Sequence, residues 1–233
     1  MKELVSFITC GFLGNEFTKD LGLALREAGS DRLELGIPFS DPVADGSLIE
    51  KAGQEALKAG FKRSDAFEVA SVLSAHMPLY FMGYFNSFFS GGFDNFCQKA
   101  QDAGARGLII PDLPFEESRK YTDIAHKHSL SNITWLAVTH SDDRVAKIAT
   151  ASEDFIYLVA FAGITGADKS EDLSGILASV RKYTDTKVFV GFGVNENTAK
   201  ERAKGADGVI VGSAFTKILL EDGLSNSQKI AKC

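Results

Sequence analysis

The alternation of short apolar runs with helix-like segments, repeated eight times, is the feature that most constrains how this chain can fold. Most of the runs are apolar at consecutive positions and rich in β-branched or aromatic residues, which is typical of strands buried on both faces. The eight predicted strands are Leu4–Cys10, Arg32–Gly36, Leu79–Tyr84, Gly107–Pro111, Ile133–Val138, Phe155–Ala160, Lys187–Gly191 and Gly208–Val211.

The segments between these strands have the period of amphipathic helices. In the first of them, four apolar residues share one helical face: Phe17, Leu21, Leu25 and Ala28. Strand and helix alternate strictly over eight units, and this predicts a parallel (β/α)8 TIM barrel that forms one domain over residues 1–233. The alternative is a doubly wound open sheet, which normally stops at five or six strands.

Composition and charge exclude several classes of function. The net charge is −6 and no run is rich in Lys or Arg, so nucleic acid and anionic membranes are not expected partners. No apolar run approaches the ~20 residues that span a bilayer, and the strand pattern begins too early for a signal peptide. The three cysteines are far apart and form no CxxC pair, which favours a reduced, cytoplasmic setting.

The stretch LELGIPFSDPVADG contains two carboxylates in different surroundings. Glu34 stands between two leucines near the end of the second predicted strand, and Asp45 lies in the loop that follows. Burial raises a carboxyl pKa, which suits a group that gives and takes a proton near neutral pH, whereas Asp45 in a polar loop is expected to ionise more readily. The structural alternative for Glu34 is an ion pair with Arg32 or Arg106.

Glycine-rich turns follow the last three predicted strands, at residues 160–167, 191–193 and 212–214. Small residues let backbone N–H groups approach an anion closely, and a helix that begins near Ser213 would direct its N-terminus at the same place. Because barrels commonly hold phosphate at the loops after strands seven and eight, these glycines predict a phosphate site. The alternative is that they only form tight turns.

Aromatic residues are concentrated at the end of the third predicted strand. Phe accounts for 18 of the 233 residues, and the stretch LYFMGYFNSFF holds six aromatic rings in eleven residues. Core packing explains several of them, but strand alternation sends others into the barrel mouth near Phe7, Tyr157 and Phe192. A flat apolar ligand group would fit there.

The remaining polar candidates give weaker predictions. His126 and His128 are expected on a solvated helix surface, while His140 follows the fifth strand and could line the mouth. Asp112 is either a helix-entry residue or an acid that shapes its loop, and Cys10 is interpreted as a small apolar filler. The histidine spacing predicts no metal site.

The motifs resemble those of the tryptophan synthase α subunit. The stretch LELGIPFSDPVADG resembles the signature of that family, and six shorter matches follow the same order along the chain: FITCG (7–11), GYFN (83–86), PDLPFEES (111–118), AGITGA (162–167), GFGV (191–194) and VGSA (211–214). The resemblance implies a barrel that cleaves indole-3-glycerol phosphate reversibly into indole and glyceraldehyde 3-phosphate, in tryptophan biosynthesis. It also implies that this subunit needs no cofactor and passes indole to a pyridoxal-phosphate β subunit in an α2β2 complex.

The resemblance assigns roles residue by residue. The family's catalytic glutamate and aspartate align on Glu34 and Asp45. Its phosphate contacts align on Gly166, Gly193, Gly212 and Ser213. Its indole-pocket and loop positions align on Phe7, Tyr84, Tyr157, Thr165 and Phe192.

Some positions depart from the family pattern. The arginine that usually precedes AG(V/I)TG is Phe161 here, and Phe12-Leu13 replace the usual Asp-Pro after TCG. The stretch LAVTHS lacks the expected proline and second threonine, no leading helix precedes the first strand, and the polar C-terminal end is too short for a full last helix. Other phosphate-binding barrel enzymes, or a non-catalytic regulatory subunit, are therefore the alternatives to an active lyase.

Overall fold

The structure is a computed structural model, and it describes residues 1–160 and 173–233. Its eight strands lie where the apolar runs predicted them, three with identical bounds and the others within two residues at either end. The strands are β1 (Glu3–Thr9), β2 (Arg32–Gly36), β3 (Leu79–Met82), β4 (Gly107–Ile109), β5 (Ser131–Ala137), β6 (Phe155–Val159), β7 (Lys187–Gly191) and β8 (Gly208–Val211).

Among the described residues a helix follows every strand, and two helices follow each of β2, β3 and β8. The helices are α1 (Asn15–Glu27), α2 (Ser47–Lys58), α3 (Arg63–Leu73), α4 (Phe85–Phe89), α5 (Phe93–Asp102), α6 (Phe115–Lys127), α7 (Asp142–Ala151), α8 (Ser174–Arg181), α9 (Ala199–Arg202), α10 (Ser213–Leu219) and α11 (Asn226–Lys232). None of the helices within these described ranges has both the length and the apolar character needed to cross a membrane.

All eight strands are parallel and close into one barrel. Each strand pairs with the next along the chain, and β8 returns to β1 through the register Val5↔Ile210. The predicted (β/α)8 barrel is therefore confirmed, and an open sheet is excluded because no strand is left at an edge.

Strand parity divides the apolar residues between two packed regions. Residues that point outward from the strands, such as Leu33 and Leu35 of β2, pack under the helices. Inward-pointing residues fill the barrel itself, among them Phe7, Tyr80 and Phe155. The barrel is thus a filled core, and space for a ligand can exist only at its ends.

Helix α1 illustrates how the amphipathic pattern is used. Phe17, Leu21 and Leu25 are buried as predicted. Ala28 was predicted on the same face but is exposed, because the helix ends at Glu27 and Gly29 then turns the chain with φ +110°. The short C-terminal end forms only the seven-residue α11, whose start is capped by the Ser225 side chain.

Arg32 closes the lower end of the barrel interior. Its guanidinium donates to Glu3 at 2.8 Å, to Asp154 at 2.7 Å and to the Tyr80 hydroxyl at 2.6 Å. It also lies over the ring of Phe155, 5.7 Å from the centroid. The hydrogen bonds of Arg32 go to these three groups, and none of them reaches Glu34 on the same strand.

Candidate active site

Glu34 lies inside the barrel, where none of the described residues pairs with its carboxyl. It is two residues above Arg32 on the same inward face of β2, in register with Phe7 and Tyr80 of the neighbouring strands. Its side chain is 0% exposed, and neither carboxyl oxygen has a hydrogen-bond partner among the described residues. Burial raises the pKa of Glu34 to about 8, so its carboxyl is largely protonated at neutral pH. The ion pair with Arg32 or Arg106 considered from the sequence is therefore wrong.

The local sequence explains this placement. Leu33 and Leu35 must face the helices, so alternation forces the residue between them into the barrel. Gly36 then leaves room above Glu34, because a Cβ at that position would lie 2.5 Å from the ring of Phe7. The Leu-Glu-Leu-Gly pattern therefore both directs the acid inward and leaves space for the ring of Phe7 next to it.

Asp45 lies in the loop between β2 and α2 and is held by Tyr84. The backbone N–H groups of Ala44 and Asp45 donate to the Tyr84 hydroxyl oxygen at 2.9 and 3.1 Å. The loop is less open to solvent than its sequence suggests, since Asp45 is half-buried and burial raises the pKa of its carboxyl. The hydrogen bond from the Tyr84 hydroxyl lowers that pKa and so favours the ionised form.

A cavity of about 920 Å³ opens at the carboxyl ends of the strands and joins most of the predicted site residues. Its lining includes Phe7, Asp45, Ile49, Met82, Tyr157, Phe192, Gly193, Gly212 and Ser213. An adjoining cavity of about 360 Å³ contains Tyr84 and shares Phe7 and Asp45 with the first. Glu34 is not part of either lining but lies in the layer below. Burial raises the pKa of the Tyr157 hydroxyl, and the carboxyl groups of Glu34 and Asp45 raise it further. Thr165 and Gly166, and also Phe161, lie outside the described residues.

Three aromatic rings pack against one another at this end of the barrel. Trp135 lies parallel to Tyr157, with 4.3 Å between ring centroids and 5° between planes, and Phe192 meets both rings at an angle. Trp135 was not among the residues predicted for the site, although strand alternation places it inward two residues above Ile133. Its indole N–H is buried and has no partner among the described residues.

The late glycines have two distinct structural roles. Gly191 and Gly212 leave space for rings, because a Cβ at Gly191 would lie 2.4 Å from Tyr157 and one at Gly212 would lie 3.0 Å from Phe7. Phe192 and Gly193 both have φ of +68°, which turns the chain sharply away from the end of β7. That conformation is strained for Phe192, and strain of this kind clusters at functional sites.

The weaker candidates are also settled by their contacts. Asp112 shapes the β3 loop, since its carboxylate accepts the Phe85 N–H at 2.7 Å. His128 is not solvated as predicted: its side chain is 12% exposed and its Nε2 lies 3.0 Å from Asp94. His140 lines a separate cavity of about 620 Å³ instead of the mouth cavity. Cys10 is buried, and burial raises its thiol pKa, as expected for a filler.

No group of three or more potential metal ligands occurs within residues 1–160 and 173–233. The carboxylates, rings and glycine turns of the site can act directly on an organic substrate. A buried neutral acid beside a second acid can exchange protons with such a substrate, and the apolar wall can hold a flat ring.

Comparison with known proteins agrees with this arrangement. The family model described as "Tryptophan synthase alpha chain" matches residues 1–233. The tryptophan synthase alpha chain of Wolinella succinogenes is 48% identical over 231 residues, which cover 99% of this chain and 91% of that protein. The solved structure of the α subunit from Campylobacter jejuni superposes with a TM-score of 0.87 at 34% identity, covering 99% of this chain and 93% of that one. A structure of the α2β2 complex from Pyrococcus furiosus matches with a TM-score of 0.85 at 32% identity, covering 100% and 97%. The chain belongs to the tryptophan synthase α chain family.

Proposed function

We propose that this protein cleaves indole-3-glycerol phosphate into indole and glyceraldehyde 3-phosphate, with Glu34 and Asp45 as the catalytic acid and base. The observation that carries the assignment of these roles is the unpaired, fully buried carboxyl of Glu34, next to a mouth cavity that contains Asp45. A structural acid would be paired at this depth, because an unpaired buried charge is costly. We also take residues 1–233 to act as a single catalytic domain.

The proposed reaction begins with proton transfer to the indole ring. Glu34, neutral near pH 7 because its pKa is about 8, donates its proton to indole C3. Ionised Asp45 accepts the proton of the ring N–H, so the ring becomes a neutral indolenine that can receive an electron pair. These two transfers prepare C3 to leave without carbanion character.

The bond to the glycerol chain breaks in the second stage. Glu34, now a carboxylate, accepts the proton of the glycerol hydroxyl next to C3, and the aldehyde forms as the carbon–carbon bond breaks. The electron pair of that bond restores the indole ring, whose nitrogen recovers its proton from Asp45. Both acids return to their starting states, and proton transfers of this kind contribute roughly 10²–10⁴ in rate.

The rest of the mouth orients the substrate in this proposal. Phe7, Tyr157 and Phe192 hold the indole ring, and the hydroxyl of Tyr84 keeps the Asp45 loop in place. The phosphate is assigned to backbone N–H groups near Gly193, Gly212 and Ser213, together with Gly166. Ser213 is the first residue of α10, where backbone N–H groups have no partner within the helix.

Glu34→Gln tests the catalytic assignment. The substitution keeps the shape of the side chain but removes its proton transfer, so turnover should fall at least roughly a hundredfold while phosphate binding and folding persist. The assay is the appearance of indole from indole-3-glycerol phosphate. Glu55→Gln, an equivalent exchange on the exposed face of α2, serves as the control. Near-normal turnover of Glu34→Gln would remove Glu34 from the mechanism.

We also propose a cytoplasmic location and an α2β2 complex, in which a β subunit with pyridoxal phosphate receives the indole. Two exposed apolar side chains at the barrel mouth support a partner contact there: Val43 is 79% exposed in the β2 loop and Phe89 is 50% exposed in residues 86–92. The chain's departures from the family pattern suggest that the isolated subunit depends on this partner for activity. Indole release measured with and without added β subunit tests that dependence, and full activity alone would contradict it.

A further inference from the structure

The described lining of the mouth cavity has no positive charge to balance the charge of the proposed substrate. A phosphate ester carries close to two negative charges, and Asp45 adds another in the same cavity. The described residues that line the cavity include no Lys or Arg. A cation near the phosphate end would strongly stabilise a dianion that is held beside a carboxylate.

Among the described residues, Arg202 places a cation beside this end, next to the lining residue Gly193. It lies on α9, and its Nη1 donates to the backbone oxygen of Ala160, at the end of β6, at 3.3 Å. Its Nη2 lies 3.9 Å from the place where a Cβ of Gly193 would be. The guanidinium therefore lies between the ends of β6 and β7, next to one of the residues assigned to the phosphate.

The hydrogen-bond ladder between β6 and β7 is interrupted at this point. In the parallel ladder, Ala160 N–H donates to Gly191 O at 3.1 Å, so the next step would be a bond from Gly193 N–H to the Ala160 oxygen. The left-handed conformation of Phe192 and Gly193 breaks the ladder there, and Arg202 occupies the Ala160 oxygen instead. Within the described parts of the chain, the Gly193 N–H has no hydrogen-bond partner.

Arg202 forms no ion pair with any of the described carboxylates. No acidic group among the described residues lies within ion-pair distance of its guanidinium, and the neighbouring Glu201 pairs with Lys204 at 2.5 Å. One bond to a carbonyl uses one of the five guanidinium donors and leaves the others for an acceptor. Arginine presents such donors in a planar fork that matches phosphate oxygens.

We infer that Arg202 binds the phosphate group of the substrate together with the N–H of Gly193. This inference rests on the proposed function for the identity of the substrate, but its physical content is the recognition of a phosphate monoester. Contacts to the phosphate exist in both the ground state and the transition state, so they act on KM and leave kcat nearly unchanged.

Arg202→Gln tests the inference in the full chain, with Arg202→Lys as the conservative variant. Lys200→Gln is the matched control, because it removes one positive charge from the same helix at an exposed position. Titration calorimetry measures the Kd for glycerol 3-phosphate and, separately, for indole, and steady-state assays give KM and kcat for indole-3-glycerol phosphate. These binding measurements need no catalysis.

The expected result for Arg202→Gln is a rise of about tenfold or more in the KM and in the Kd for glycerol 3-phosphate, since one charged hydrogen bond is lost. Its Kd for indole and its kcat should stay within about twofold of the parent values, Arg202→Lys should recover part of the loss, and Lys200→Gln should match the parent. Unchanged affinity for glycerol 3-phosphate, or an equal weakening of indole binding, would overturn the inference; if Arg202→Gln fails to fold, Arg202→Lys decides between the same outcomes. A parent chain that binds glycerol 3-phosphate through Arg202 but releases no indole would refute the proposed function alone.

Discussion

The unpaired carboxyl of Glu34 should make the protein less stable as the pH rises. Its pKa is about 8 in the folded state, whereas in the unfolded chain it returns to the ordinary value of 4.5. Below pH 4.5 both states are protonated and the group costs nothing. Between pH 4.5 and 8 only the unfolded state releases the proton, so the free energy of unfolding falls through this window and levels off above it.

The size of the effect follows from the two pKa values. Each unit of difference corresponds to about 1.36 kcal/mol. Because part of the window lies below pH 5, the contribution of Glu34 between pH 5 and pH 8 is a loss of about 3–4 kcal/mol. A loss of this size is a large fraction of the roughly 5–15 kcal/mol that stabilises a typical protein.

Urea unfolding of the parent chain and of Glu34→Gln at pH 5, 6, 7 and 8 isolates this contribution. Glutamine does not titrate, and all other groups cancel in the difference between the two proteins. The urea midpoint of Glu34→Gln, relative to that of the parent, should rise steadily with pH, by roughly 1 M or more over the series. A difference that stays constant from pH 5 to pH 8 would show that Glu34 is already ionised in the folded protein, and the proposed proton donor would be lost.

Three further substitutions test the rest of the mouth. Tyr84→Phe removes the acceptor of two backbone N–H groups and the hydrogen bond that lowers the pKa of Asp45. We therefore expect kcat/KM to fall about tenfold and the acidic limb of its pH profile to move to higher pH. An acidic limb that does not move would contradict this. Gly191→Ala places a Cβ 2.4 Å from the Tyr157 ring and should cost about 1–3 kcal/mol in urea unfolding with a raised KM, and a variant as stable as the parent would show that the ring is free to move. Trp135→Leu removes the stack on Tyr157 and should weaken indole binding by about tenfold in calorimetry without changing the Kd for glycerol 3-phosphate; equal effects on both ligands would mean a general disturbance of the mouth.

Local patterns in the sequence predicted the barrel and its central acid. The inward position of Glu34 follows from Leu33 and Leu35 alone, since strand parity fixes opposite faces for neighbours. The strand bounds followed from runs of apolar residues for the same reason. Whether a side chain of a strand points into the barrel or towards the helices is therefore determined by the few residues around it.

Contacts that depend on closure of the barrel could not be predicted in this way. Arg32 meets Asp154, 122 positions along the chain, only because β2 and β6 face each other across the interior. The guanidinium of Arg202 reaches Ala160 only because the chain turns sharply after β7. His128 was expected in solvent for a related reason, since its partner Asp94 belongs to a different helix. These pairs could not be predicted because their members are far apart in the sequence, although the chemistry of each pair is ordinary.

The two ends of the barrel interior treat buried polar groups in opposite ways. At the lower end, the guanidinium of Arg32 donates hydrogen bonds to Glu3, Asp154 and the Tyr80 hydroxyl, so this buried charge is paired. Towards the mouth, the buried side-chain atoms that lack partners among the described residues all belong to three inward positions: Thr9, Glu34 and Trp135. Each such atom costs about 1–3 kcal/mol, and folding alone would not retain three of these residues on neighbouring layers of one core. Their persistence at one end, where the cavity opens, is what a site should show when its polar groups are completed by a substrate.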